Sequence, residues 1–181
     1  MEKVHAGYEY LITYKLATIN YDLAVQFTRK WIDYHSRTGD QMVQAGRSSK
    51  QNIAEGYEQA SLKSYIKLTG VALGSAEELM LDVQDFARQN SVKIYSVSEA
   101  KKMREVREVW DLINNNFSYR PNSPYKLPAE KERAVNLMLT LLNQQTYLLR
   151  KQKESLEQKF IKEGGFSENL LKKRLSERNK K

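Results

Sequence analysis

Few of the side chains that carry catalysis or bind metals are present in this chain. Cysteine is absent, and only His5 and His35 are histidines among the 181 residues. These two are not arranged as the paired Glu-x-x-His motifs of a di-iron bundle, and no glycine-rich phosphate loop occurs. Glu78, Asp82 and Asp85 share one side of a predicted helix, where an exposed acidic face is the simpler interpretation. We therefore expect a non-enzymatic protein with no metal site and no cofactor.

Basic residues are concentrated at the C-terminus. The formal net charge is +8, and residues 150–181 carry 11 Lys and Arg against 5 Asp and Glu. Such a segment can neutralise the phosphates of a nucleic acid, although a solvated helix end with a frayed tail is the alternative interpretation. The candidate nucleic-acid-binding residues are Arg150, Lys151, Lys153, Lys172, Lys173, Arg174 and Arg178.

Eleven tyrosines are a second source of nucleic-acid contacts, because aromatic rings stack on unpaired bases. Tyr10, Tyr14 and Tyr21 recur at helical spacing, which favours packing in a core with the hydroxyl at its edge. Tyr119 and Tyr125 lie in a proline-containing loop next to basic residues. These two are predicted to be the better exposed.

Apolar residues recur at steps of three and four along most of the chain, which predicts helices. Glycine (8) and proline (3) are scarce, so the predicted fold class is all-α. The spacing predicts helices over about 8–35, 40–57, 61–89, 96–117 and 128–162, followed by a short segment after Gly164-Gly165. Ser96 and Glu99 form a capping-box pair at one of these starts.

A proline-rich stretch divides this helical pattern, since proline lacks the N–H that a helix requires. We predict an up-and-down four-helix bundle over residues 1–118 and a proline-rich connector over 119–128. A suffix helix over 129–163 and a basic tail with a short amphipathic helix over 164–181 follow. Gln145 and Gln152 interrupt the apolar seam of the suffix helix, which predicts weaker packing toward its end.

The third predicted helix carries a second apolar row beside its core row. Four residues repeat at every seventh position, and one bundle core does not obviously need them. We interpret this row as a candidate oligomer interface, formed by Ile66, Leu73, Met80 and Ala87.

The centre of the chain resembles a known family. Its segments are Ala45-Gly-Arg-Ser-Ser-Lys-Gln-Asn-Ile-Ala-Glu-Gly56 and Lys63-Ser-Tyr-Ile-Lys-Leu-Thr-Gly-Val-Ala-Leu-Gly-Ser-Ala-Glu-Glu-Leu79. They resemble bacterial four-helix-bundle proteins encoded in intervening sequences of 23S ribosomal RNA genes, and are similar to the accessory variability determinant of diversity-generating retroelements. The resemblance covers about residues 11–117. It implies a homopentameric four-helix bundle with affinity for RNA or DNA, a reverse transcriptase as partner in the retroelement branch, and no catalytic residues.

These observations together predict an oligomeric accessory protein that binds nucleic acid. A pure protein-interaction scaffold, whose charge only keeps it in solution, stays open as the alternative. No stretch approaches the roughly 20 apolar residues of a membrane span. Because cysteine is absent and the N-terminus has no signal-like apolar run, we expect a cytoplasmic protein without membrane partners.

Overall fold

The computed structural model describes residues 6–115 and 124–179, and these ranges contain helices and connecting turns. The prediction of an all-α helical bundle with a further C-terminal helix is confirmed. The elements are a 3₁₀ turn Gly7–Tyr10, α1 Ile12–Trp31, α2 Arg37–Tyr57, α3 Leu62–Gln89, α4 Val97–Lys101, α5 Arg104–Asn115, α6 Lys131–Glu163 and α7 Phe166–Arg178.

Serine side chains fix the starts of several helices by accepting a hydrogen bond from a free backbone N–H. Ser61 accepts from the Ser64 N–H at 3.1 Å before α3. The Ser96 and Glu99 capping box is formed in both directions. The helix that it starts is nevertheless only the short α4, because the chain breaks and turns Met103 into the core before α5 begins.

Four long helices, α1, α2, α3 and α6, form an up-down-up-down bundle. Gly39, at the start of α2, lies against Ile32 at the end of α1, and the Tyr57 ring at the end of α2 lies against Gly7. Lys30, at the end of α1, donates to the carbonyl of Ala129 just before α6. Neighbouring helices therefore run antiparallel, and α6 closes the bundle.

The structure differs from the sequence-based division at residue 118, because the predicted suffix helix supplies the fourth helix of the bundle. The first half of α6 is apolar around most of its circumference, so it is stable only when it is surrounded by other helices. Its side chains are accordingly fully buried against those of α1 and α3. The α6 residues with no exposed surface are Ala134, Val135, Leu137, Met138, Leu141, Leu142 and Leu149.

The helix predicted to be fourth, α5, instead packs on the outside of the bundle beside α1 and α6. Trp110 of α5 donates its indole N–H to Gln144 of α6 at 2.9 Å. The buried ammonium of Lys15, from α1, donates to the Ile113 carbonyl at the end of α5 at 3.1 Å. A cation at a helix C-terminus is favourable because unpaired carbonyls concentrate negative charge there.

An ion pair joins α5 to α6. Arg133 donates to both carboxylate oxygens of Glu105, whose side chain is almost fully buried. Burial by itself would raise the pKa of Glu105. The bond from its own backbone N–H and the pairing with Arg133 outweigh burial, so the pKa of Glu105 lies below the usual value of a glutamate.

The contact between α1 and α2 is close because α2 carries small residues. A Cβ on Gly46 would lie 3.2 Å from the Tyr21 Cα of α1.

Small polar residues also join α2 to α3, where the hydroxyls of Ser48 and Ser75 lie 2.9 Å apart. Asn52 donates to Ser48 within α2, so it supports this contact rather than crossing to another helix.

Gln145 and Gln152 cross-link the bundle. Buried Gln145 accepts from the Asn20 amide at 2.7 Å and donates to the Ser49 hydroxyl at 2.8 Å. Ser49 in turn donates to the carbonyl of Ala72 at 2.8 Å. Buried polar groups that have partners specify the register of a core; in this network only the Asn20 carbonyl oxygen has no partner among the described residues.

No helix in the described ranges is long and apolar enough to cross a bilayer.

Candidate nucleic-acid interface

The basic arm, which we define as residues 164–181, leaves the bundle at a glycine pair. Gly164 ends α6 with a positive φ of 77°, a conformation that glycine adopts without the Cβ clash of other residues. The Gly165 N–H then donates to Glu168 at 2.9 Å, which helps to start α7. The structure describes this arm up to Asn179, and Lys180 and Lys181 lie outside the described residues.

All of α7 is accessible to solvent, since none of its residues is buried. Four of the candidate nucleic-acid-binding residues are on this helix, and all four are exposed. Within the described part of the chain, none of them is paired with a carboxylate. They are Lys172, Lys173, Arg174 and Arg178. Unpaired, hydrated cations of this kind are available to phosphates.

The other three candidates, on α6, have acidic partners. Arg150 pairs with Glu77 of α3. Lys151 pairs with Glu154 at 2.8 Å, and Lys153 with Glu157 at 3.5 Å. The hydrogen bond with Glu154 also raises the pKa of Lys151. A phosphate would have to compete with these carboxylates, so the structure separates the seven predicted residues into a paired set on α6 and an unpaired set on α7.

Apolar side chains on α7 lie on two sides of the helix. Phe166 and Leu170 are one turn apart, and so are Leu171 and Leu175, and all four are about half exposed. Phe166 and Leu171 differ by five residues, or about 140° around a helix. The predicted amphipathic helix is therefore not one-sided, because the apolar pairs are separated by basic side chains.

Five tyrosines lie on the elements at the end of the bundle from which the arm departs. They come from the 3₁₀ turn, the start of α1, the end of α2 and the start of α3, and they are Tyr8, Tyr10, Tyr14, Tyr57 and Tyr65. The Tyr8 and Tyr14 rings meet edge-on with centroids 4.8 Å apart, and the Tyr57 and Tyr65 rings with centroids 6.1 Å apart. Tyr10 is 38% exposed and Tyr57 is 41% exposed.

Hydrogen bonds from α6 hold this tyrosine end together. The Gln152 amide N–H donates to the Tyr65 hydroxyl at 2.8 Å. The carbonyl of the same side chain accepts from Thr13 of α1 at 2.8 Å. Gln152 is therefore a structural link between the tyrosines and the helix that continues into the arm.

Sequence reasoning missed this tyrosine end. The signal was present, because antiparallel pairing brings the start of the first helix, the end of the second and the start of the third to one place. Tyr125, expected to be exposed, packs against the core and donates to Glu108 at 2.8 Å. Burial, followed by this bond, raises its pKa. Tyr119 lies outside the described residues.

The residues of the predicted oligomer row on α3 are all at least partly buried within one chain. Ala87 is fully buried in the chain's own core, and Met80 packs partly against that core. Leu73 packs against a second buried cluster, and Ile66 is partly buried. Packing within one chain therefore accounts for the apolar character of Met80 and Ala87.

The acidic side of α3 does not assemble a metal site. Burial raises the pKa of Asp82, and the charges of Glu78 and Asp85 raise it further. Among the described residues, however, no three acidic or histidine side chains come together as metal ligands would. His5 lies outside the described residues.

Comparisons with protein-family models, with curated proteins and with solved structures give no match to this chain.

Proposed function

We propose that this protein is a non-enzymatic accessory protein that binds nucleic acid through its basic arm. The observation that carries the proposal is the state of the α7 cations. Lys172, Lys173, Arg174 and Arg178 are exposed and unpaired among the described residues, whereas the three candidates on α6, Arg150, Lys151 and Lys153, have acidic partners. Affinity for a phosphate backbone comes from cations that release counterions on binding. The α7 set meets that requirement.

Three further elements complete the proposal. Self-association as a homopentamer and assistance to a reverse transcriptase rest on the family resemblance, and a cytoplasmic location rests on the absence of cysteine. Light scattering addresses the first, and co-purification with a reverse transcriptase encoded nearby in the genome addresses the second.

Truncation after Glu163 tests the proposal. It removes the whole arm but no residue of the bundle core, so helicity should fall only by the share of α7. Each lost phosphate contact should reduce the slope of log affinity against log salt by roughly 0.7–0.9. We expect a decrease of two or more units on labelled RNA or DNA oligonucleotides. A truncated protein with unchanged affinity and slope would refute the proposal.

A protein-docking arm is the second candidate function, and the exposed Phe166, Leu170, Leu171 and Leu175 favour it. The variant Leu171→Ala/Leu175→Ala keeps every charge of the arm. If the arm binds nucleic acid electrostatically, this variant should bind oligonucleotides like the wild type. Loss of a protein partner without any change in nucleic-acid affinity would support the docking function instead.

A further inference from the structure

We propose that α7 binds in the major groove of duplex DNA, where basic side chains on two sides of the helix contact the phosphates of the two strands. This inference rests on the proposed function and specifies its ligand. It is carried by the distribution of the cations around the helix axis, whereas the proposed function uses only their exposure and their lack of acidic partners.

Access from all sides is the first reason. Every residue from 170 to 179 is exposed, so no side of this part of α7 rests on the bundle. A nucleic acid can therefore enclose the helix instead of touching one face of it. The major groove of B-DNA is about 12 Å wide and admits one α-helix.

The positions of the cations are the second reason. Leu171 and Leu175 are one turn apart on α7 and form an exposed row along it. At 3.6 residues per turn, Lys172 lies about 80° to one side of the midline of this row. Arg174 and Arg178 lie about 80° and about 40° to the other side. When the row faces the floor of the groove, both flanks of the helix therefore present cations to the phosphate backbones beside it.

The need to occupy two flanks distinguishes duplex DNA from other nucleic acids. A single strand has one backbone, so it cannot line both flanks of a straight helix. The major groove of an RNA duplex is deep and narrow, and side chains do not read it. Of these three ligands, only duplex DNA presents two phosphate backbones on either side of a groove that is as wide as a helix.

The orientation of α7 in the groove follows from the same geometry. Three of the four cations lie within about 80° of the midline of Leu171 and Leu175, but only two lie that close to the midline of the other apolar pair. Lys173 is about 180° from the first midline, on the side away from the DNA. Lys172 and Lys173 are thus adjacent and both exposed, with the same charge but different expected roles.

The test uses the full chain and three probes of one sequence. They are a 20-base-pair DNA duplex, the corresponding RNA duplex and one of the DNA strands. The variants are Lys172→Gln, its matched control Lys173→Gln, and Arg174→Gln/Arg178→Gln. Because Lys, Arg and Gln have similar helix propensities, α7 should persist in each variant, and circular dichroism verifies this.

Affinity is measured over a range of salt concentrations. On the DNA duplex, Lys172→Gln should lower the slope of log affinity against log salt by about 0.9, and the arginine variant should lower it by about 1.8. Lys173→Gln should leave the slope unchanged. The wild type should bind the DNA duplex most tightly and with the steepest salt dependence, because the other two probes cannot engage both flanks. Should a glutamine variant lose helicity, Lys172→Ala and Lys173→Ala replace the pair, with the same expectation.

Equal effects of the Lys172 and Lys173 substitutions on the DNA duplex would overturn the groove inference. Binding of the RNA duplex or of the single strand that is as tight as binding of the DNA duplex would overturn it too. In either case, binding that still depended on salt and on the arm would leave the proposed function standing. Absence of any nucleic-acid binding by the wild type would refute both.

Discussion

Replacing Gln145 by Met should destabilise the bundle even though methionine is apolar and of similar size. Gln145 is fully buried and accepts a hydrogen bond from the Asn20 amide N–H. The Asn20 carbonyl oxygen already has no partner among the described residues, so the variant would leave this whole amide unpaired in the core.

The expected magnitude follows from these contacts. An orphaned buried polar group costs about 1–3 kcal/mol, and Ser49 loses one bond but keeps the one to Ala72. We expect Gln145→Met to lower the free energy of unfolding by about 2–3 kcal/mol. For a chain of this length that corresponds to a decrease in Tm of about 4–12 °C.

The double variant Asn20→Leu/Gln145→Met is the control, because removing both partners of a buried hydrogen bond is nearly neutral. Its free energy of unfolding should lie within about 1 kcal/mol of the wild type. Urea titrations followed by circular dichroism measure all three proteins. If the double variant is instead destabilised by the sum of the two single effects on the free energy of unfolding, Asn20 and Gln145 do not act as a pair and the reasoning is refuted.

Three further predictions concern the fold. Gly46→Ala should lower the free energy of unfolding by about 1–3 kcal/mol, because the added Cβ would crowd the backbone of Tyr21. Gly74→Ala, whose added Cβ would have no atom within 4 Å, should raise the free energy of unfolding by about 0.5–1 kcal/mol. Thermal melts of both alanine variants and the wild type measure the two effects. Glu105→Gln should cost about 1–3 kcal/mol at neutral pH. Because the folded pKa of Glu105 lies below its unfolded value, its contribution is present above the unfolded pKa and is lost as pH falls through the folded pKa. The difference from wild type should therefore shrink in acid, and a difference that is constant with pH would contradict this assignment. Leu73→Glu/Met80→Glu should reduce stability by placing charge beside the core, whereas a fully stable but smaller species in light scattering would restore the oligomer interpretation of this row.

Local patterns in the sequence predicted the helices well. The spacing of apolar residues located the long helices, and the Ser96 and Glu99 pair marked the start of α4. These signals depend on near neighbours in the chain, so one sequence is sufficient to read them.

Which helices pack together depended on long-range contacts that periodicity does not encode. The proline-rich stretch suggested a boundary at residue 118, yet α6 returns to the core that α1 and α3 share. Gln145 looked like a weak point in a seam because its partners, Asn20 and Ser49, are distant in sequence.

The candidate site was predicted in part for the same reason. Charge counting found the basic segment, but it could not separate Arg150, whose partner Glu77 belongs to another helix, from the unpaired cations of α7. To predict the tyrosine end from the sequence, one would have to know that α1, α2 and α3 alternate in direction.

The most direct test of the central claim compares two sets of charge-neutralising substitutions in full-length protein. One variant carries Lys172→Gln, Lys173→Gln, Arg174→Gln and Arg178→Gln on α7. The other carries Arg150→Gln, Lys151→Gln and Lys153→Gln on α6. Both are measured for oligonucleotide affinity over a range of salt concentrations. We predict that the α7 variant loses two or more units of salt slope and the α6 variant less than one, at roughly 0.7–0.9 per phosphate contact. Equal losses, a larger loss for the α6 variant, or a wild-type slope in both would contradict the claim.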